Sequence, residues 1–128
     1  MATRQQPLIL VVEDDPDLLS LVTKKLELEG FSVTQTISGR QALDYLKQHR
    51  PALIVLDILL PDIDGITVLT ELAGDSEAKT IPVIVFSNLG EQGSFEQVKA
   101  IGDYDYLVKS TTDLNTLVQH IRAKLGIA

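Results

Sequence analysis

Cysteine is missing from the chain altogether. Disulfide frameworks, thiolate metal sites and cysteine nucleophiles are therefore excluded, and any chemistry must run on oxygen and nitrogen. No apolar stretch approaches the ~20 residues that a membrane-spanning helix requires. The start, Met1 to Gln6, lacks the basic opening, apolar middle and small-residue cleavage site of a secretory signal, which sets the expectation of a cytoplasmic protein. Histidine is scarce: His49 and His120 are the only two, both in helix-like segments among polar neighbours, and read as surface residues. Positive charge is short as well. With 11 Lys and Arg against 18 Asp and Glu the net charge is −7, which opposes direct binding to nucleic acid or anionic lipid because both are polyanions.

What is present is enough for one hydrophobic core. The chain has 128 residues, 45% of them hydrophobic and 23% charged, so a single domain over residues 1–128 is expected, with its core at about 8–125. Leu8 to Val12 is a continuous apolar run that must stop at Glu13-Asp14-Asp15-Pro16. Helix-start chemistry at Asp15 and Pro16 is followed by Leu18, Leu21, Val22 and Leu26 at helical spacing, with Gly30 as the stop. Phe31 to Thr36 alternates like a strand, and Ala42, Leu43 and Leu46 mark a second helix ending near His49-Arg50-Pro51. Ala52 to Leu56 is another all-apolar run, the mark of a strand covered on both faces, and it ends on Asp57. Val68, Leu69 and Leu72 predict a third helix, and Gly74 to Lys79 a loop. Pro82 to Phe86 predicts a strand ending on Ser87. Ser94 to Ile101 predicts a helix with Phe95, Val98 and Ile101 inward, Tyr104 to Val108 a strand ending on Lys109, and Thr112-Asp113 the cap of a last helix.

Strict strand-helix alternation implies a parallel sheet with crossover helices on both faces, an α/β open doubly wound fold. Five units are too few for an eight-stranded barrel, which leaves the flavodoxin-like order 2-1-3-4-5 or a shortened Rossmann order. In such sheets ligands bind beyond the carboxyl ends of the strands, where strand order reverses. The residues at those ends are Glu13 and Asp14, then Asp57, Ser87 and Lys109. If the first strand lies between the second and third, Asp14 and Asp57 become neighbours. Carboxylates gathered so closely repel, so a hard cation is expected among them; Mg²⁺ fits Asp14 and Asp57, with Glu13 farther out. Lys109 and Ser87 suit phosphoryl oxygens, and Asp57 can itself be the nucleophile of an acyl phosphate.

With these residues assembled, the chain resembles the receiver domain of bacterial two-component response regulators. Val11-Val12-Glu13-Asp14-Asp15 is similar to that family's acidic pair. Asp57-Ile58-Leu59-Leu60-Pro61-Asp62-Ile63-Asp64-Gly65 is similar to its phosphoacceptor loop, and Tyr106-Leu107-Val108-Lys109 to its aromatic-switch and lysine segment. The resemblance implies the 2-1-3-4-5 order, Asp57 as phosphoacceptor, and Asp14, Asp57 and the Leu59 carbonyl as Mg²⁺ ligands, with Glu13 acting through water. It implies Lys109 on the phosphoryl group, and Ser87 and Tyr106 as switch residues that reshape a face made by helix four, strand five and helix five. The implied phosphodonor is a phosphohistidine on a sensor histidine kinase or histidine phosphotransfer protein. The implied output is control of a downstream protein by a domain that catalyses its own phosphorylation and does not turn over a substrate.

Three positions depart from the family pattern. Ser110 follows Lys109 where Pro is common, and a cis Lys-Ser bond would cost about 2.5 to 4 kcal/mol, so a trans bond and an altered loop are expected. Asn88 follows Ser87 where Ala or Ser is usual, and is expected to narrow access to Asp57 or add a hydrogen bond. Asp103 adds negative charge before the fifth strand. Leu59 and Leu89, two residues beyond Asp57 and Ser87, cannot orient an attacking water, which predicts slow loss of phosphate. Two other functions compete: a receiver-like interaction module without phosphorylation, and a Mg²⁺-dependent aspartyl-nucleophile phosphohydrolase. The second calls for an Asp where Leu59 stands. No output segment follows the last helix, so a stand-alone regulator or a piece of a larger one is expected.

Overall fold

The computed structural model describes residues 6–88 and 92–127. Five parallel strands form one sheet in the order β2-β1-β3-β4-β5, with β1 Leu8–Val12, β2 Ser32–Thr36, β3 Leu53–Leu56, β4 Val83–Ser87 and β5 Asp105–Val108. The helices between and after them are α1 Pro16–Leu28, α2 Gly39–Leu46, α3 Gly65–Gly74, α4 Gln92–Ile101 and α5 Leu114–Leu125. The expected alternation and strand order are both present.

The apolar runs are explained by burial on two sides. Successive side chains of a strand face opposite ways. Leu10, Val12, Ile54, Leu56, Val83 and Val85 join Ala42, Leu46, Val68, Leu69, Leu72 and Val98 in one core, under α2, α3 and α4. Ile9, Val11, Leu53, Val55, Ile84 and Phe86 join Leu19, Val22, Leu26, Leu117, Val118 and Ile121 in the other, under α1 and α5. Helix starts follow side-chain capping: Asp15, Ser38, Asp64 and Asp113 each accept a hydrogen bond from a backbone N–H in the first turn of α1, α2, α3 and α5.

Several expectations need correction. Leu21 is exposed, and Leu19 takes the inward position on α1. Phe95 was expected inward but is 41% exposed and lies on the surface of α4, with its ring against Tyr106. The stretch from Gly74 to Lys79 is not a plain loop: Ala78–Thr80 forms a 3₁₀ turn that buries Ala78. Helix α2 ends at Leu46, ahead of the predicted stop, and β5 begins one residue later than predicted. His49 is exposed, whereas His120 is half-buried and its Nδ1 lies 2.9 Å from Asp105 Oδ2.

Candidate functional site

The site forms where chain connectivity reverses, between β1 and β3. Their last paired residues are Val12 and Leu56. The ladder then runs one step further: the Asp57 N–H donates to Val12 O at 3.1 Å, and the Glu13 N–H to Thr36 O at 3.0 Å. Asp57 and Glu13 are thus carried on rigid backbone at the sheet's carboxyl end, and both are buried. The acidic run divides its work. Asp15 caps α1, the Glu13 carboxylate accepts the Asp15 N–H, and Asp14 stays exposed at the mouth of the site. Carboxylate oxygens of Glu13, Asp14 and Asp57 lie within 4.8 Å of one another.

Two further strands close the site. Ser87, fully buried at the end of β4, donates from Oγ to Asp57 Oδ1 at 2.5 Å. Lys109, just past β5, places Nζ 2.6 Å from Asp57 Oδ2 and 2.6 Å from Glu13 Oε1. The Leu59 N–H donates to Asp57 Oδ1 at 3.1 Å, while its side chain is exposed. Of the residues predicted for the site, Glu13, Asp14, Asp57, Ser87 and Lys109 are gathered together. Leu59 enters through its backbone, and Tyr106 sits on the β5 side. Leu89 lies outside the described residues.

The electrostatics show a site short of positive charge. Burial pushes the Glu13 carboxyl above its ordinary range, and the bond from Lys109 offsets only part of this. Burial alone would lower the Lys109 ammonium, but its bonds to Asp57 and Glu13 outweigh that and hold it above the usual lysine value. Three carboxylates against one ammonium leave two negative charges in excess when all are ionised. A hard divalent cation with oxygen ligands fits that set, Asp14 being the member with no hydrogen-bonded partner among the described residues.

The loop after β3 is pinned from both ends. The Gly65 N–H donates to Ile58 O at 2.8 Å, and a Cβ on Gly65 would collide with the Asp57 carbonyl oxygen. Asp62 accepts the Gly39 and Arg40 N–H groups at 3.0 and 3.1 Å, which anchors the loop to the start of α2. On the other side, the described peptide bonds are all trans and Lys109–Thr111 forms a 3₁₀ turn, the altered loop expected from Ser110. The Ser110 N–H donates to Asn88 Oδ1 at 3.0 Å. Asp103 is exposed, with Oδ1 3.6 Å from Lys99 Nζ. Tyr106 stacks against Phe95 with ring centroids 5.5 Å apart, and its hydroxyl is buried with no hydrogen-bond partner among the described residues.

Known proteins share this fold. Residues 9–122 match the response regulator receiver domain family. The chain belongs to that family. This receiver is 36% identical over 119 residues to the DNA-binding dual master transcriptional regulator RpaA of Synechocystis, covering 93% of this chain but only 49% of that protein. It therefore spans about half the length of that relative. It is 32% identical to the polar-differentiation response regulator DivK of Brucella anthropi, over 94% of this chain and 97% of that one. Among solved structures, the receiver domain of a Pseudomonas aeruginosa sensor histidine kinase, described with a magnesium ion coordinated in its active site cleft, superposes with a TM-score of 0.86. That match has 27% identity and covers 95% of this chain and 99% of that one. Receiver domains serve two-component signalling, in which they interact with histidine kinases and downstream targets. Among the described residues no helix of this receiver is long and apolar enough to cross a membrane.

Three contributors escaped the sequence reading: the Leu59 N–H, the Asp62 anchor and the direct Glu13–Lys109 ion pair. The first two are bonds from backbone N–H groups to the Asp57 and Asp62 carboxylates, and the identity of the donor residues does not announce them. The third was within reach, since burying Glu13 beside Asp57 demands a shared cation.

Proposed function

We propose that this receiver is a phosphorylation-dependent switch with Asp57 as phosphoacceptor, working in the cytoplasm. One observation carries the reading. The Asp57 carboxylate is buried at the sheet's carboxyl end and engaged at once by Ser87 Oγ and Lys109 Nζ, inside a cluster with Glu13 and Asp14. In the step proposed, an Asp57 oxygen forms a bond to phosphorus as the bond from phosphorus to the donor's imidazole nitrogen breaks, the electron pair leaving with nitrogen. The donor is a phosphohistidine on a sensor kinase or histidine phosphotransfer protein. Lys109 stays with the negative charge as it moves onto the phosphoryl oxygens, and the Ser87 hydroxyl donates to another of them. Mg²⁺, held by Asp14, Asp57 and the Leu59 carbonyl with Glu13 acting through water, would offset charge on the transferring group.

The output follows from what Ser87 gives up. When its hydroxyl leaves Asp57 Oδ1 for the phosphoryl group, Tyr106 fills the space beside it. The Phe95 ring that Tyr106 touches carries the change to α4, so the face of α4, β5 and α5 is altered for a downstream protein. Leu59 offers no group to orient water, so the phosphoryl group is lost slowly. The test is labelling by radioactive acetyl phosphate of wild type and Asp57→Asn, with and without Mg²⁺. Label that requires both Mg²⁺ and Asp57 is the expected result; equal label in Asp57→Asn, or none in wild type, removes the reading.

A further inference from the structure

The last paired residues of β4 and β5 are Ser87 and Val108. Beyond them backbone pairing ends, and the chains continue as Asn88 on one side and Lys109 and Ser110 on the other. The Asn88 carboxamide spans the gap by accepting the Ser110 N–H at 3.0 Å. A side-chain bond thereby continues the ladder one step past the sheet. It fastens together the backbones that carry Ser87 and Lys109, the two residues whose side chains end on Asp57. Asn88 and Ser110 are both exposed, so the bond adds nothing to either core.

A lysine ammonium rides on a flexible four-carbon stem, and where it rests depends on where its own backbone is held. Lys109 reaches two carboxylates at 2.6 Å from a short 3₁₀ turn, with no capping side chain at the start of that turn. The Asn88 bond is the side-chain anchor that reaches that turn from β4; within the turn itself the Thr111 hydroxyl donates to Val108 O at 3.5 Å, the outer limit of a hydrogen bond. Each half of the bond needs the other. Position 110 must carry an N–H, which proline lacks, and position 88 must carry an acceptor, which alanine lacks. The two departures noted in the sequence thus form one contact.

We propose that Asn88 is a positioning residue, setting the backbone from which Lys109 reaches Asp57 and through it the rate of phosphoryl acceptance. The proposal deepens the reading of Asp57 as phosphoacceptor and rests on it. The experiment is a double-mutant cycle on the full chain with saturating acetyl phosphate and Mg²⁺. Asn88→Ala lowers the phosphorylation rate constant about five-fold, the size of one lost neutral hydrogen bond. In a Lys109→Ala background the same substitution changes the rate by less than about 1.5-fold, because its effect travels through Lys109. An equal change in both backgrounds, as altered access to Asp57 would give, overturns the proposal, and so does an unchanged rate in the single variant. A second measurement needs no phosphoryl group: hydrogen exchange of the Lys109 ammonium and the Ser110 amide by nitrogen-15 NMR. Both exchange several-fold faster in Asn88→Ala, and an unaltered Lys109 overturns the proposal. Should wild type take no label, the phosphoacceptor reading fails, while the exchange measurement still decides whether Asn88 holds Lys109.

Discussion

The Tyr106 hydroxyl is buried with no hydrogen-bond partner among the described residues. Burial pushes its pKa up, and the negative charge of Asp57 pushes the same way. Ser87 is near enough to favour the phenolate slightly, yet its hydroxyl is engaged by Asp57 at 2.5 Å and makes no hydrogen bond to Tyr106. A buried hydroxyl without a partner costs ~1–3 kcal/mol in lost hydration. The ring is a different matter, because its contact with Phe95 survives loss of the oxygen. Tyr106→Phe therefore raises the stability of the unphosphorylated protein by about 1 kcal/mol. The readout is urea unfolding, with a higher midpoint at an unchanged slope. A lower midpoint would mean that the hydroxyl finds a hydrogen-bond partner in solution.

At the scale of elements, α3 and β3 meet where the site is built. Gly65, the first residue of α3, packs so closely on the Asp57 carbonyl and Ile58 Cα that a Cβ there would overlap both. Because the obstruction is backbone, no side-chain rotation relieves it. Gly65→Ala must push α3 off the end of β3 and drag Asp57 with it. Overpacking of this kind costs about 2 kcal/mol. The expected result is a lower urea midpoint together with slower labelling of Asp57, and a substitution that lowers neither would show that the loop yields freely. Strands β1, β3 and β4 were legible in the sequence because a strand buried on both faces must be apolar throughout. Helix phase was less so. On α1, Leu18, Leu19, Leu21 and Val22 are all apolar, so spacing alone could not choose Leu19 over Leu21. On α4, Phe95 has helical spacing to Val98 but serves Tyr106 at the surface. Asp57, Ser87 and Lys109 could be read because strand ends converge by topology. The partnership of Asn88 with Ser110 could not, since it depends on how two loops leave the sheet.

Across the whole molecule, negative charge is both general and concentrated. The net charge of −7 spreads weak repulsion over the surface, whereas Glu13, Asp14 and Asp57 crowd their oxygens within 4.8 Å. Salt of any kind screens the first, with a Debye length of about 8 Å at physiological ionic strength. Only a cation small enough to enter the cluster relieves the second, and one that binds the folded chain alone stabilises it by mass action. At a free Mg²⁺ concentration ten times its dissociation constant, that linkage amounts to about 1.4 kcal/mol, or a Tm rise of about 5 °C for a domain of this size. Potassium chloride at matched ionic strength should give much less, since it reaches only the diffuse charge. Asp14→Asn should lose the Mg²⁺ increment and keep the response to potassium chloride, because Asp14 is exposed and its carboxylate accepts no hydrogen bond among the described residues. Thermal unfolding under these conditions separates the two kinds of charge. An equal rise with either salt, or an undiminished Mg²⁺ rise in Asp14→Asn, would place the stabilising ion somewhere other than the end of the sheet.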